Sequence, residues 1–176
     1  MSLYLATIGE SSDEDRLFKL ISDELAMCFP KKRQQNPTRF WAALAKAPRG
    51  LRAMAAVYDL DINLTSEDLA GHFVNHHDDR FLNETALGLK ELEASEMADI
   101  FLAAWSVLKP QLAEIRKMNW KDTSLSDYFE ESGVHAQQDP LNGRAWKICG
   151  SMGRLGLAEY WILYARKYPE PCLDPS

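Results

Sequence analysis

His72 and His76 stand four residues apart, a spacing that puts both imidazoles on one face of a helix, and His77, Asp78 and Asp79 follow directly. Such a set suits a divalent cation, and a metal-dependent hydrolase using His72, His76 and Asp79 is the enzymatic reading the chain permits. The rest of that pattern is missing. No glutamate follows His72 as in a His-Glu-x-x-His helix, and His135 is the one histidine left to complete a site. Two histidines beside acids at a helix end more commonly serve the surface or a cap, so no metal and no cofactor is expected.

Nucleophile patterns are weaker still. Cys28 falls on an apolar helical stripe, where a thiol packs rather than reacts. Ser132 and Ser151 lack a Gly-x-Ser-x-Gly elbow. Gly150, Gly153 and Gly156 have a phosphate-loop rhythm without the preceding strand or the Gly-Lys-Ser/Thr ending. The expectation is a protein without enzymatic activity.

Charge is the stronger signal. Residues 59–99 hold eleven carboxylates against Arg80 and Lys90, a net of −9 in a chain whose total is −6. Upstream, residues 31–52 carry seven cations (Lys31, Lys32, Arg33, Arg39, Lys46, Arg49 and Arg52) and no acid. A one-signed block attracts cationic partners and repels nucleic acid, so direct nucleic-acid binding is not expected despite Phe40 and Trp41 in the basic stretch. The two blocks are also complementary, which allows an isologous homodimer.

With 176 residues and 46% apolar content, the chain suits one domain with a proper core. Residues 1–168 form that domain in this reading, and 169–176 a Pro-rich C-terminal tail. No run approaches the roughly 20 apolar residues of a membrane helix. Met1–Ile8 lacks the basic start of a signal peptide. Cys28, Cys149 and Cys172 are scattered and odd in number, against a disulfide framework or a zinc knuckle, and a cytoplasmic location follows.

The elements that must carry these residues read as helical throughout. Ser11 or Ser12 caps a helix with Leu17, Leu20, Ile21, Leu25 and Cys28 on one face, closed by Pro30. A loop over Lys31–Pro37 follows, and Thr38 caps a helix with Phe40, Trp41 and Leu44 inside. After Pro48 and Gly50 the stripe resumes through Leu51, Met54 and Tyr58. Thr65 with Asp68 approximates a capping box for a short helix through His76. Asp78 or Asp79 opens a helix with Phe81, Leu82, Thr85, Leu89 and Leu92 inward. Ser95 starts another, with Ile100, Phe101, Trp105 and Leu108. Pro110 leads into Leu112, Ile115 and Met118, and Asp122-Thr123-Ser124 opens a short element. Ser132–Asn142, rich in amides and holding Gly133 and Pro140, reads as the longest loop. A C-terminal helical region with a glycine break near residue 150 ends the fold. The expected class is all-α, a single-domain bundle of about seven to nine helices.

Three segments carry a family likeness: Leu69-Ala-Gly-His-Phe-Val-Asn75, Asn83-Glu-Thr-Ala-Leu-Gly-Leu-Lys-Glu-Leu92 and Ala98-Asp-Ile-Phe-Leu-Ala-Ala104. Over about residues 58–108 the chain resembles the bacterial DNA-mimic-protein domain family. Phe73 and Asn75 look like that family's aromatic-x-Asn step. Asn83-Glu84-Thr85 looks like its helix start, and Leu92-Glu93-Ala94 like its corner, with Glu93 where the family has glycine. The resemblance implies an acidic all-α fold that binds a DNA-binding regulator in place of DNA. B-DNA presents one charge per about 1.7 Å of axis, and rigid helices can hold carboxylates in a competing array.

The reading that follows is a protein-binding module whose partner is a basic protein. Its binding residues are Glu67, Asp68, Asp78, Asp79, Glu84, Glu91, Glu93, Glu96 and Asp99. An immunity-type inhibitor of a cationic toxin is the alternative that the same acids would serve.

Overall fold

The computed structural model describes residues 13–29, 37–76, 78–115, 117 and 124–170. The Ser11/Ser12 cap, the Lys31–Arg33 run, His77, Met118, Asp122-Thr123, Cys172 and the last six residues lie outside them. The chain is all-α, as its spacing predicts, and no strand occurs among the described residues. In chain order the helices are α1 (Glu14–Cys28), α2 (Pro37–Leu44), α3 (Arg49–Ser66), α4 (Leu69–Asn75), α5 (Asp79–Glu91) and α6 (Ser95–Leu108). A 3-10 turn over Lys109–Gln111 leads to α7 (Leu112–Ile115), then α8 (Leu125–Glu131), α9 (Val134–Ser151) and α10 (Ala158–Lys167). Among the described residues no helix is long and apolar enough to cross a membrane.

The centre of the bundle is α3, and its composition explains why. Leu51, Ala53, Met54, Ala55, Ala56, Val57, Leu60 and Leu64 are all buried, so the helix is covered on several sides. Alanines permit close approach of a neighbour. α5 takes that position, running antiparallel: a Cβ on Gly88 would stand 2.8 Å from the Ala53 carbonyl oxygen. The buried Thr85 hydroxyl donates to the Ala56 carbonyl at 2.9 Å, fixing the register of the pair. α6 lies beyond, and Phe73 of α4 meets Phe101 and Trp105 there at ring separations of 5.0 and 5.3 Å. α10 closes the other side. Trp161 lies between Phe18 of α1 and Tyr58 of α3, stacked on both.

Three local expectations are corrected. Ser132–Asn142 is not a loop: Gly133, at φ 72°, makes the turn, and α9 then runs unbroken past Pro140. Two of its three side-chain amides serve neighbouring helices, and the third, of Gln137, donates to the Gly133 carbonyl. Gln138 is fully buried and donates to the Ala104 carbonyl at 2.7 Å, and Asn142 accepts from the Leu69 amide at 3.1 Å. Pro140 is tolerated because the Ala136 carbonyl that it leaves without an intrahelical donor is on the exposed side. Thr65 does not cap α4, since α3 continues to Ser66 and the Thr65 hydroxyl donates back to the Asp61 carbonyl; Asp68 is the cap. Thr38 lies inside α2, which begins at Pro37, a residue type suited to a helix's first turn.

Candidate functional site

The carboxylates nominated from sequence divide into two groups. Five are ion-paired within the chain. Glu84 takes a bidentate contact from Arg52 at 3.0 and 2.6 Å, and Glu91 meets Arg49 at 2.5 Å and also accepts from the Tyr164 hydroxyl. Glu84 and Glu91 lie seven residues apart, hence on one face of α5, facing two arginines spaced by three on α3. Glu93 holds Lys167 at 2.7 Å and the Tyr168 hydroxyl at 2.8 Å. Glu96 meets Arg144 at 3.3 Å, and Asp79 stands 3.8 Å from Lys109.

The other four make no ion pair among the described residues. Asp78 caps α5, accepting from the Arg80 amide at 2.9 Å. Asp99 is exposed on α6. Asp68 caps α4 through the Gly71 amide at 2.7 Å, and Glu67 beside it accepts from Asn75 at 3.1 Å. Glu91 and Glu93 gather at the C-terminal end of α5 with Tyr164, Lys167 and Tyr168, while Asp78 and Asp79 sit at its other end, about 18 Å away along a helix of this length.

The missing signal was the partner of each acid. Arg49 and Arg52 belong to the basic block, so part of the complementarity that suggests a dimer is satisfied inside one chain. Their spacing on α3 was visible in sequence. Which helix they face was not.

His72 and His76 lie side by side, their rings 4.9 Å apart as their spacing predicts, but Asp79 does not join them. His72 is fully buried, its Nδ1 2.9 Å from the Asn63 amide nitrogen and its ring beside Phe73, Phe81 and Phe101. His76 points to Asp59 at 3.9 Å, and Asp79 is turned to Lys109. Among the described residues no group of three or more His, Cys, Asp or Glu side chains is placed to hold a metal ion. The two described thiols, Cys28 and Cys149, are poorly placed as nucleophiles. Burial, then the charge of Asp61, pushes Cys149 up to about 11, and burial with Glu24 raises Cys28. Both would be protonated at neutral pH.

A second Asp on α3 has a structural role. Asp61 accepts from the Leu157 amide at 2.9 Å, where the chain turns through Gly153 (φ 89°) and Gly156 (φ 56°) into α10. Burial raises its carboxyl above the usual range, and the bond from Leu157 opposes that rise.

One concave surface takes in part of the acidic set. Between α4, α8 and α9 lies a groove of about 440 Å³, with Glu67 and Asp68 on its rim and Phe129, His135 and Trp146 among its walls. Sequence reasoning found the two acids but not the groove, because it placed the first turns of α9 in a loop.

No curated protein and no solved structure matches the chain. The sequence pattern of the DMP19-like protein family matches residues 45–166, which spans α3 to α10 and takes in all nine nominated acids. With the greater part of its length matched, the chain belongs to the DMP19-like family of DNA-mimic proteins.

Proposed function

We propose that this chain is a non-enzymatic cytoplasmic protein that binds a basic, DNA-binding protein in place of DNA. The observation that carries the reading is the family match over residues 45–166. The chain's charge supports it: a total of −6 with the acids concentrated between residues 59 and 99 draws cationic surfaces and repels phosphate. Pairing inside the chain refines which acids do this work. Glu84, Glu91, Glu93, Glu96 and Asp79 already have cationic partners, so each presents a near-neutral pair to a distant charge. Glu67, Asp68, Asp78 and Asp99 keep their charge uncompensated among the described residues and are the carboxylates this reading assigns to the partner.

Partners retained by the immobilised chain at low salt, then challenged with duplex DNA, test the proposal. The expected partner binds DNA, is displaced by DNA in competition, and loses affinity as salt rises and screens the exposed carboxylates. A partner held equally at high salt and indifferent to DNA overturns it. Inhibition of a cationic toxin's enzymatic activity, without effect on any DNA complex, would point to the immunity-type alternative.

A further inference from the structure

The groove between α4, α8 and α9 has a composition that the charge argument alone does not explain. Among the described residues no lysine or arginine lines it, in a chain that carries 20 of them. Its rim carries Glu67 and Asp68, and its walls include Val74, Leu125, Phe129 and Trp146. Trp146 is 47% exposed, a large aromatic left half in water on a helix that buries Val134, Gln138, Asn142 and Ala145. An apolar trough ending in carboxylates fits a long side chain with an aliphatic stem and a cationic head.

The rim is built rather than incidental. Asp68 has both oxygens engaged, one by the Gly71 amide at 2.7 Å and the other by Asn142 at 3.5 Å, so its charge is fixed in place. Glu67 lies along α4 beside Gly71, and Asn75, the last residue of that helix, donates to its Oε2 at 3.1 Å. Only glycine permits that course: a Cβ on residue 71 would stand 2.6 Å from the same oxygen. The second carboxylate oxygen, Oε1, accepts from no group among the described residues and remains for an incoming donor.

Resting on the partner reading above, we propose that this groove receives an arginine side chain of the basic partner protein. Its guanidinium meets the Glu67 carboxylate, and its stem lies along Val74, Leu125 and Trp146. Arginine is favoured over lysine because the planar guanidinium both stacks on an indole and presents paired donors to a carboxylate. Aromatic and arginine contacts of this kind are where interfaces concentrate their affinity.

The test uses the full ¹⁵N-labelled chain and a blocked Ala-Arg-Ala-Arg-Ala peptide, with lysine and citrulline counterparts and spermine as a cation that is not a protein. The arginine peptide should shift the Trp146 indole N–H, identified by its loss in W146F, together with the Gly71 amide. Citrulline, with the same shape and no charge, should not shift them, and lysine and spermine should bind more weakly. E67Q and W146A should each weaken binding about tenfold. D23N, which removes a carboxylate on α1, should leave it unchanged, and G71A, which displaces the Glu67 carboxylate, should act like E67Q. No shift at Trp146 at millimolar peptide, spermine binding as tightly as arginine peptide, or equal weakening by E67Q and D23N overturns the proposal. The two readings fail separately. Peptide binding at the groove without any DNA-competed partner removes the mimic function and leaves the groove, whereas a DNA-competed partner indifferent to both E67Q and W146A removes the groove.

Discussion

Glu93 and Lys167 are 74 residues apart and in contact, 2.7 Å between carboxylate and ammonium, and the backbone that makes the contact is left-handed at Glu93. Glu93 has φ 62°, follows the last residues of α5, and donates its amide to the Lys90 carbonyl while Ala94 donates to Leu89. That is a Schellman ending, whose left-handed position favours glycine because a Cβ crowds the following carbonyl. Here a glutamate takes the position, and its side chain ties the α5–α6 corner to the end of α10 through Lys167 and Tyr168. E93G relieves the backbone and loses the exposed contact, and exposed pairs contribute little. The expected result is an unfolding midpoint raised by roughly 2–4 °C, with E93A, which keeps the strain and loses the contact, lowered; thermal denaturation of the two decides it.

The same contact sets a pH dependence. Hydrogen bonds from Lys167 and then Tyr168 hold the Glu93 carboxyl below its ordinary value. A lowered acid pKa in the fold means stabilisation present above the ordinary carboxylate range and lost as pH falls through the lowered folded value. Stability of the wild type minus that of E93Q, followed from neutral to acid pH, should shrink towards zero. A difference independent of pH would refute the charge contribution.

Gly88 predicts a different kind of failure. A Cβ added there would meet a backbone oxygen, that of Ala53, at 2.8 Å and the Val57 methyl at 3.2 Å, and a helix backbone cannot step aside as a side chain tip can. G88A gains about 1 kcal/mol of helix propensity in isolation. Overpacking at this crossing opposes it by about 1–3 kcal/mol, so the net change in a denaturant titration should be destabilising. A stabilised G88A would show that α3 and α5 can separate freely.

Asp61 distinguishes a hydrogen bond from a charge. Burial raises its carboxyl, so ionisation weakens the fold as pH rises from the ordinary value through the raised one. D61N keeps an oxygen for the Leu157 amide and removes that burden. At neutral pH it should match or exceed the wild type, with the gain fading in acid. D61A leaves the amide without its partner and should lose about 1–3 kcal/mol.

How far the sequence discloses this molecule depends on whether a residue's role is local. The apolar spacing of α1, α5 and α6 reveals their buried faces, and Asp78 is readable as a cap because it acts on an amide two residues away. Thr65 misleads, since a hydroxyl can equally donate to the carbonyl four residues back, as those of Thr65 and Ser66 both do. Gln138 and Asn142 have loop-like chemistry but bond to helices more than 30 residues distant. The candidate site shares this limit. Its carboxylates are evident in the sequence, whereas their neutralisation by Arg49, Arg52, Arg144 and Lys167 depends on which helices touch.

That division among the acids yields the sharpest functional prediction. If charge alone governed partner binding, E67Q, E84Q, E91Q and D99N would weaken it alike, each removing one negative charge. Direct contact argues otherwise, because Glu84 and Glu91 already hold arginines whereas Glu67 and Asp99 make no ion pair among the described residues. Removing Glu84 also frees Arg52, so that variant is read in the α3–α5 contact as well as in binding. Glu84 is the more shielded partner, with 15% of its side chain exposed against 43% for Arg52. E84Q should therefore lower stability by about 1–2 kcal/mol in chemical denaturation, because a charge-assisted bidentate bond is replaced by a neutral one. E67Q and D99N should leave stability within about 0.5 kcal/mol, as surface changes do. On partner affinity the order reverses in slope: each of E67Q and D99N should reduce the steepness of the salt dependence, by removing a charge that meets a cation across the interface, while their double variant should reduce it further. An equal salt slope for the wild type and the double variant would show that the partner reads other carboxylates.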